Sequence, residues 1–147
     1  MRGRRRKQFG FGDRALTRHV PDSHFLVRVD GLIDWDPIDR MLASLYSHTG
    51  RPSHPPLVLF KILLLQQWFG LSDPQAEAQV QDRLSFMRFV GLGLDDDVPD
   101  ETTLVRFRQR LSKLDASLLD AINEQLEGKG LVIKRGTLID ATVVKSA

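Results

Sequence analysis

The sequence predicts a mainly α-helical fold that closes with a short β-hairpin. Three observations carry this reading. Apolar residues recur at helical spacing through most of residues 31–130, in runs opened by Asp, Ser or Pro and often closed by Gly. One of those runs, Leu57–Phe69, is apolar on nearly every side, which marks a central buried helix. Residues 137–144, TLIDATVV, are instead strand formers around a single carboxylate. At 147 residues the chain is long enough for one ordinary domain, or for a domain and the start of another.

Residues 1–30 mix Gly, Pro and charge without a sustained period and read as a weakly structured arm, with His24–Val29 as a short extended segment. Asp36 then serves as a helix N-cap before Pro37, and Ile38, Met41, Leu42 and Leu45 follow at helical spacing as far as Gly50. Ser53-His54-Pro55-Pro56 opens the apolar helix, which stops at Gly70. Ser72-Asp73-Pro74-Gln75 is a capping box, continued by Ala76, Val80, Leu84 and Met87. A break is expected near Asp82–Ser85, before Phe86, Phe89 and Val90 reach the core and Gly91 ends the helix.

The next segment, GLGLDDDVP, is a loop. Its Asp95-Asp96-Asp97 triplet lacks the alternating ligands and Gly turn of a calcium loop and reads as a solvated stretch. Asp100 caps the following helix, where Leu104, Phe107, Leu111 and Leu114 form one stripe. Arg106, Gln109, Arg110 and Lys113 occupy the other side. Helix–turn–helix proteins present a recognition helix in this way, although a solvated basic face has the same pattern. Asp115 caps a last helix with Leu118, Leu119, Ile122 and Leu126 inward, and Gly128 and Gly130 end it. Leu131–Lys134, a turn at Arg135-Gly136 and Thr137–Val144 then form the hairpin.

Composition sets limits on function. Hydrophobic residues are 41% and charged residues 27%, which is globular. The absence of cysteine excludes disulfides, zinc–thiolate sites and thiol nucleophiles. No apolar stretch suits a secretory signal or a membrane span, so a soluble, cytoplasmic protein without membrane partners is expected. The net charge of +2 is unevenly placed. Arg2, Arg4, Arg5, Arg6 and Lys7 crowd the first seven positions. Taking those five from 21 basic residues leaves 16 against 19 acidic ones, a net of −3. Such a tail suits contact with phosphates and equally suits a solvated end.

Asp140 stands apart because Asp is depleted inside strands, and an unpaired buried carboxylate is costly. A metal ion, a basic partner such as Lys134 or Lys145, or a wet edge each explains it. On a strand it shares a face with Leu138, Thr142 and Val144. His19, His24, His48 and His54 lack metal-ligand spacing, and no nucleophile elbow or phosphate-cradling Gly loop is present.

Three blocks in this order, HPPLVLFKILLLQQWFGLSDPQAEAQVQDRLSFMRFVGL, DDDVPDETTLVRFRQRL and GTLIDATVV, resemble transposases of bacterial insertion sequences. They are most similar to the group named after insertion sequence number five, over roughly residues 30–147. The resemblance implies a basic arm over 1–30, a helical N-terminal domain over 31–130, and over 131–147 the start of a truncated RNase H-like α/β domain of the Asp–Asp–Glu type. Asp140 matches the first carboxylate of that triad, and so a catalytic ligand for Mg²⁺, of which the complete site holds two. No second Asp or Glu strand follows within 147 residues, so this polypeptide alone is expected neither to cleave nor to join DNA. The implied partners are the element's terminal inverted repeats, a second copy of the chain, or the product of a downstream frame joined by frameshifting. The DNA contacts expected are the five basic residues of the tail with Arg106, Gln109, Arg110 and Lys113. Two other readings remain open: a stand-alone DNA-binding regulator that inhibits transposition, and a helical protein-interaction module.

Overall fold

A computed structural model describes residues 18–46, 54–114, 118–134 and 137–140. Among them lie seven helices followed by one two-stranded antiparallel sheet, so the fold is mainly helical with a terminal hairpin. The first described helix, α1 (Phe25–Leu32), corrects the extended reading of His24–Val29. Its Phe-Leu-Val-Arg-Val sequence has strand-like composition, yet Leu26 and Val29, three residues apart, are both fully buried on one helical face. His24 caps it, its Nδ1 accepting from the Leu26 amide at 3.1 Å. The helix also runs across position 30, where the sequence placed the end of the arm.

Helix α2 (Asp36–Ser44) begins one residue before the position expected for its first turn, with Pro37 near its start and Ile38 and Leu42 inward. The sequence-predicted stop at Gly50 lies outside the described residues. Helix α3 (Pro56–Phe69) packs against α2 and against the three helices that follow it. It buries Val58, Leu59, Phe60, Ile62, Leu64 and Leu65, each side chain contributing about 1.5–3 kcal/mol. Gly70 closes α3 at φ 65°, a left-handed conformation that glycine adopts without strain.

The capping box is present as read. In α4 (Asp73–Asp82) the Ser72 hydroxyl accepts from the Gln75 amide at 3.3 Å, while Gln75 Oε1 accepts from the Ser72 amide at 2.9 Å. The expected break falls at Arg83, whose backbone is extended, and α5 (Leu84–Val90) follows with Phe86, Met87, Phe89 and Val90 buried. Gly91 then turns the chain at φ 90°. The loop after it leads to α6 (Glu101–Leu111), capped by Asp100 Oδ1, which accepts from the Thr103 amide at 2.7 Å. Leu104 and Phe107 are buried, and Leu111 and Leu114 pack at the edge of the core.

Helix α7 (Leu118–Glu127) turns Leu118, Ile122 and Leu126 inward; its predicted cap, Asp115, lies outside the described residues. Strands β1 (Leu131–Lys134) and β2 (Thr137–Asp140) pair with Leu131 opposite Asp140 and Lys134 opposite Thr137. The hairpin rests on α7 through β1 and on α1 through β2, with Leu131, Ile133 and Leu138 against the core. Residues 141–144 of the predicted strand lie outside the described residues.

Among the described residues the core holds one buried charge. Lys61, in the middle of α3, is only 1% exposed. Its Nζ donates to Asp30 Oδ1 at 2.7 Å and to the Phe89 carbonyl at 3.0 Å. The ammonium also lies 4.3 Å from the centroid of the Trp35 ring and 5.0 Å from that of Phe89. Trp35 Nε1 donates to the Asp30 carbonyl at 3.2 Å, so carboxylate, ring and ammonium hold one another. Asp30 is 34% exposed on its side chain and reaches water, whereas Lys61 does not. Asp30→Ala, which takes a carboxylate partner from a buried ammonium, is therefore expected to cost about 3–5 kcal/mol of stability. Lys61→Met, which fills the same space without a charge, should cost clearly less, because the remaining carboxylate can hydrate. Urea unfolding of the two variants measures the difference, and equal losses would contradict it.

Candidate nucleic-acid interface

Helix α6 carries three of the DNA contacts expected from the sequence and is followed by a fourth, and the burial pattern sorts them. Arg106, Gln109 and Lys113 are exposed, the last just beyond the helix end. Arg110 is only half-exposed: its guanidinium carbon lies 4.5 Å from the centroid of the Tyr46 ring at the end of α2. Burial pushes the Tyr46 hydroxyl pKa up, and the Arg110 charge opposes that shift. Arg110 thus has a packing role beside any role at the surface. Arg2, Arg4, Arg5, Arg6 and Lys7 lie outside the described residues.

Arg108 was not among the expected contacts, and it fixes the helix. Its guanidinium donates to Asp73 Oδ1 at 2.6 Å, to Asp73 Oδ2 at 3.2 Å and to Gln66 Oε1 at 2.9 Å. Gln66 Nε2 in turn donates to Asp73 Oδ1 at 2.8 Å and to the Leu71 carbonyl at 3.3 Å. The cluster joins α3, the start of α4 and α6 through a two-pronged arginine–carboxylate pair. Hydrogen bonds from Arg108 and Gln66 hold the Asp73 carboxyl below the usual aspartate range, and the Asp73 bond raises Arg108. Sequence periodicity places Arg108 at the edge of the apolar stripe, but nothing in the spacing names a partner 35 residues away.

At its N-terminal end, α6 is surrounded by acids. Besides the Asp100 cap, Glu77 Oε1 of α4 accepts from the Glu101 amide at 2.8 Å. The Asp100 carboxyl is held below its ordinary range, first by its hydrogen bonds with Thr103 and also by Arg106 and His54. Burial lowers the pKa of His54, with Asp97 and Asp100 opposing. In the triplet, Asp96 Oδ2 accepts from the Gly93 amide at 2.7 Å, closing the loop, while Asp95 and Asp97 are exposed.

Asp140 ends β2 as an exposed residue opposite Leu131. Among the described residues no three His, Cys, Asp or Glu side chains converge to hold a metal ion. No helix among the described residues is long and apolar enough to cross a membrane.

A family model described as Transposase domain (DUF772) matches residues 14–110. The chain belongs to this transposase-domain family. The matched span takes in α1 to α5 and all but the last residue of α6, so the Arg108 cluster and Arg106, Gln109 and Arg110 lie inside the transposase domain. Helix α7 and the hairpin lie beyond it. No solved structure matches the chain.

The Asp73 shift has a pH consequence. A carboxyl whose folded pKa is depressed adds stability above its unfolded pKa and loses that stability as pH falls through the folded value. The contribution of the Arg108 cluster is therefore complete at neutral pH and disappears on acidification below the ordinary aspartate range. Asp73→Asn should lower the melting temperature at pH 7, and its deficit against the parent chain should shrink as the pH falls into that window. A deficit independent of pH would mean that the pair does not stabilise the domain through its charge.

Proposed function

We propose that the chain is the N-terminal part of an insertion-sequence transposase of the insertion-sequence-five group, which binds the element's terminal inverted repeats. The single observation that carries this reading is the position of α6. It closes the matched transposase-domain span, it is clamped to α3 and α4 by Arg108, and it turns Arg106, Gln109 and the following Lys113 to solvent. A long basic side chain held outward on a fixed helix suits phosphate contact, and glutamine can donate to a phosphate oxygen or a base edge. The basic arm ahead of the domain adds five charges that favour the same polyanion.

In this reading Asp140 is the first carboxylate of an Asp–Asp–Glu catalytic domain with an RNase H-like fold. Its support is the resemblance of TLIDATVV and the exposed position of Asp140 at the end of β2. The task of the helical domain ahead of it is to hold the DNA end. Helix α7 and the hairpin then link the bound end to the site of strand cleavage.

The experiment is a gel shift with the purified chain and a duplex carrying the terminal inverted repeat of the element that encodes it. Binding at low salt is expected, weakened by the double substitution Arg106→Ala, Lys113→Ala with the circular-dichroism spectrum unchanged. Absence of binding at low salt would overturn the proposal. For Asp140 the expected result is no Mg²⁺-dependent nicking by the chain alone. Robust nicking abolished by Asp140→Ala would show that the site is already complete.

A further inference from the structure

Polarity along α6 decides how a helix of this kind meets DNA. In helix–turn–helix readers the N-terminal residues of the recognition helix touch base edges. A helix N-terminus also attracts phosphate through its unpaired amides and its dipole. Here that end is closed from within. The Glu101 amide donates to Glu77 and the Thr103 amide to Asp100, so two of the first three amides already serve this chain's own carboxylates. Glu101 itself is exposed, and so is Asp97 in the preceding loop. A phosphate approaching there would meet more carboxylates than the nearby Arg106 and His54 offset, and would find two of its donors taken.

The other end has the opposite character. Arg106, Gln109 and Lys113 recur at intervals of three and four residues, which puts them on one outward face over the second half of the helix and just past it. No aspartate or glutamate occurs between Glu101 and Leu114. The Arg108–Asp73 pair fixes the rotation of the helix, so this row cannot turn inward without breaking a bond of 2.6 Å.

We infer that α6 engages DNA through its C-terminal half alone, with Arg106 and Lys113 on phosphates, and that it positions the duplex rather than reading its bases. This rests on the DNA-binding reading given above and specifies its mode. Gln109, between the two cations, donates to the same backbone. Sequence preference for the terminal repeats then comes from other parts of the protein.

The test uses the full 147-residue chain, a terminal-repeat duplex and a scrambled duplex of equal length, titrated from low to moderate salt. Arg106→Ala and Lys113→Ala should each weaken binding to both duplexes by the same factor. Each should also lower the slope of log affinity against log salt by about 0.9, as the loss of one phosphate contact requires. Glu101→Gln should leave the ratio of the two affinities unchanged. A loss confined to the terminal-repeat duplex, or a Glu101→Gln variant that shifts the ratio, would overturn the inference and make α6 a base-reading helix. Unchanged affinity in both cation variants, with the parent chain binding well, would remove α6 from the interface and refute the inference alone. Failure of the parent chain to bind either duplex would refute the DNA-binding reading and the inference together.

Discussion

Lys61 is the constraint on which the arrangement of the helices depends. Helix α3 is apolar around nearly its whole circumference, and such a helix has no preferred face by hydrophobicity alone. Turning it about its axis would exchange one leucine or isoleucine for another against its neighbours. The ammonium ends that degeneracy. Rotation away from Asp30 and the Phe89 carbonyl would take a desolvated positive charge from two of its acceptors, a penalty larger than exchanging one apolar contact for another. Because Asp30 belongs to α1 and Phe89 to α5, the same contact sets the distance between those helices. The neighbouring rings complete the enclosure: Trp35 meets Phe89 edge-on at 6.0 Å, and Phe89 meets Trp68 at 5.6 Å.

Polar ties at the rim carry that order outward. Arg88 of α5 donates to the Val20 carbonyl at 2.6 Å, which holds the segment ahead of α1. The Gln125 side chain accepts from the Asp34 amide at 2.7 Å and donates to the Asp34 carbonyl at 3.0 Å, an amide pairing between α7 and the turn before α2. Lys129 donates to the Leu32 carbonyl at the end of α1, where a cation suits the negative helix terminus. Each bond joins residues far apart in sequence, and each is a side chain serving a backbone group in a turn or at a helix end. These polar ties add to the apolar faces in holding each helix against its neighbour.

That division explains what could be read from the amino-acid sequence. Signals local to the chain were legible: the Ser72–Gln75 box, the Asp100 cap, the stops at Gly70 and Gly91, the break at Arg83 and the hairpin. Helix α1 was misread because Val27 and Val29 favour strands locally, and only burial of Leu26 and Val29 against the core reverses that preference. Nothing local to the sequence marks Lys61 as a core charge, since its partners stand 31 and 28 residues away. At the candidate interface the basic row was legible from helical spacing. The engagement of Arg108 and the half-burial of Arg110 were not, because Asp73 and Tyr46 approach only in the folded chain.

The hairpin shows what the helical part does for Asp140. Two strands alone are marginal in water, and here Leu131, Ile133 and Leu138 supply the apolar contacts that hold them to the core. Those contacts run to α7 and α1, the two helices joined by the Lys129 bond, with the Gln125 pairing next to it. The direction in which β2 presents Asp140 therefore follows from the packing of α1, which Leu26, Val29 and the Lys61–Asp30 pair determine. Helix α6 takes its orientation from α3 and α4 through Arg108, and α3 takes its own from Lys61. The basic face and the strand carboxylate, with Lys113 and Asp140 27 positions apart in sequence, thus share one reference point in the buried ammonium.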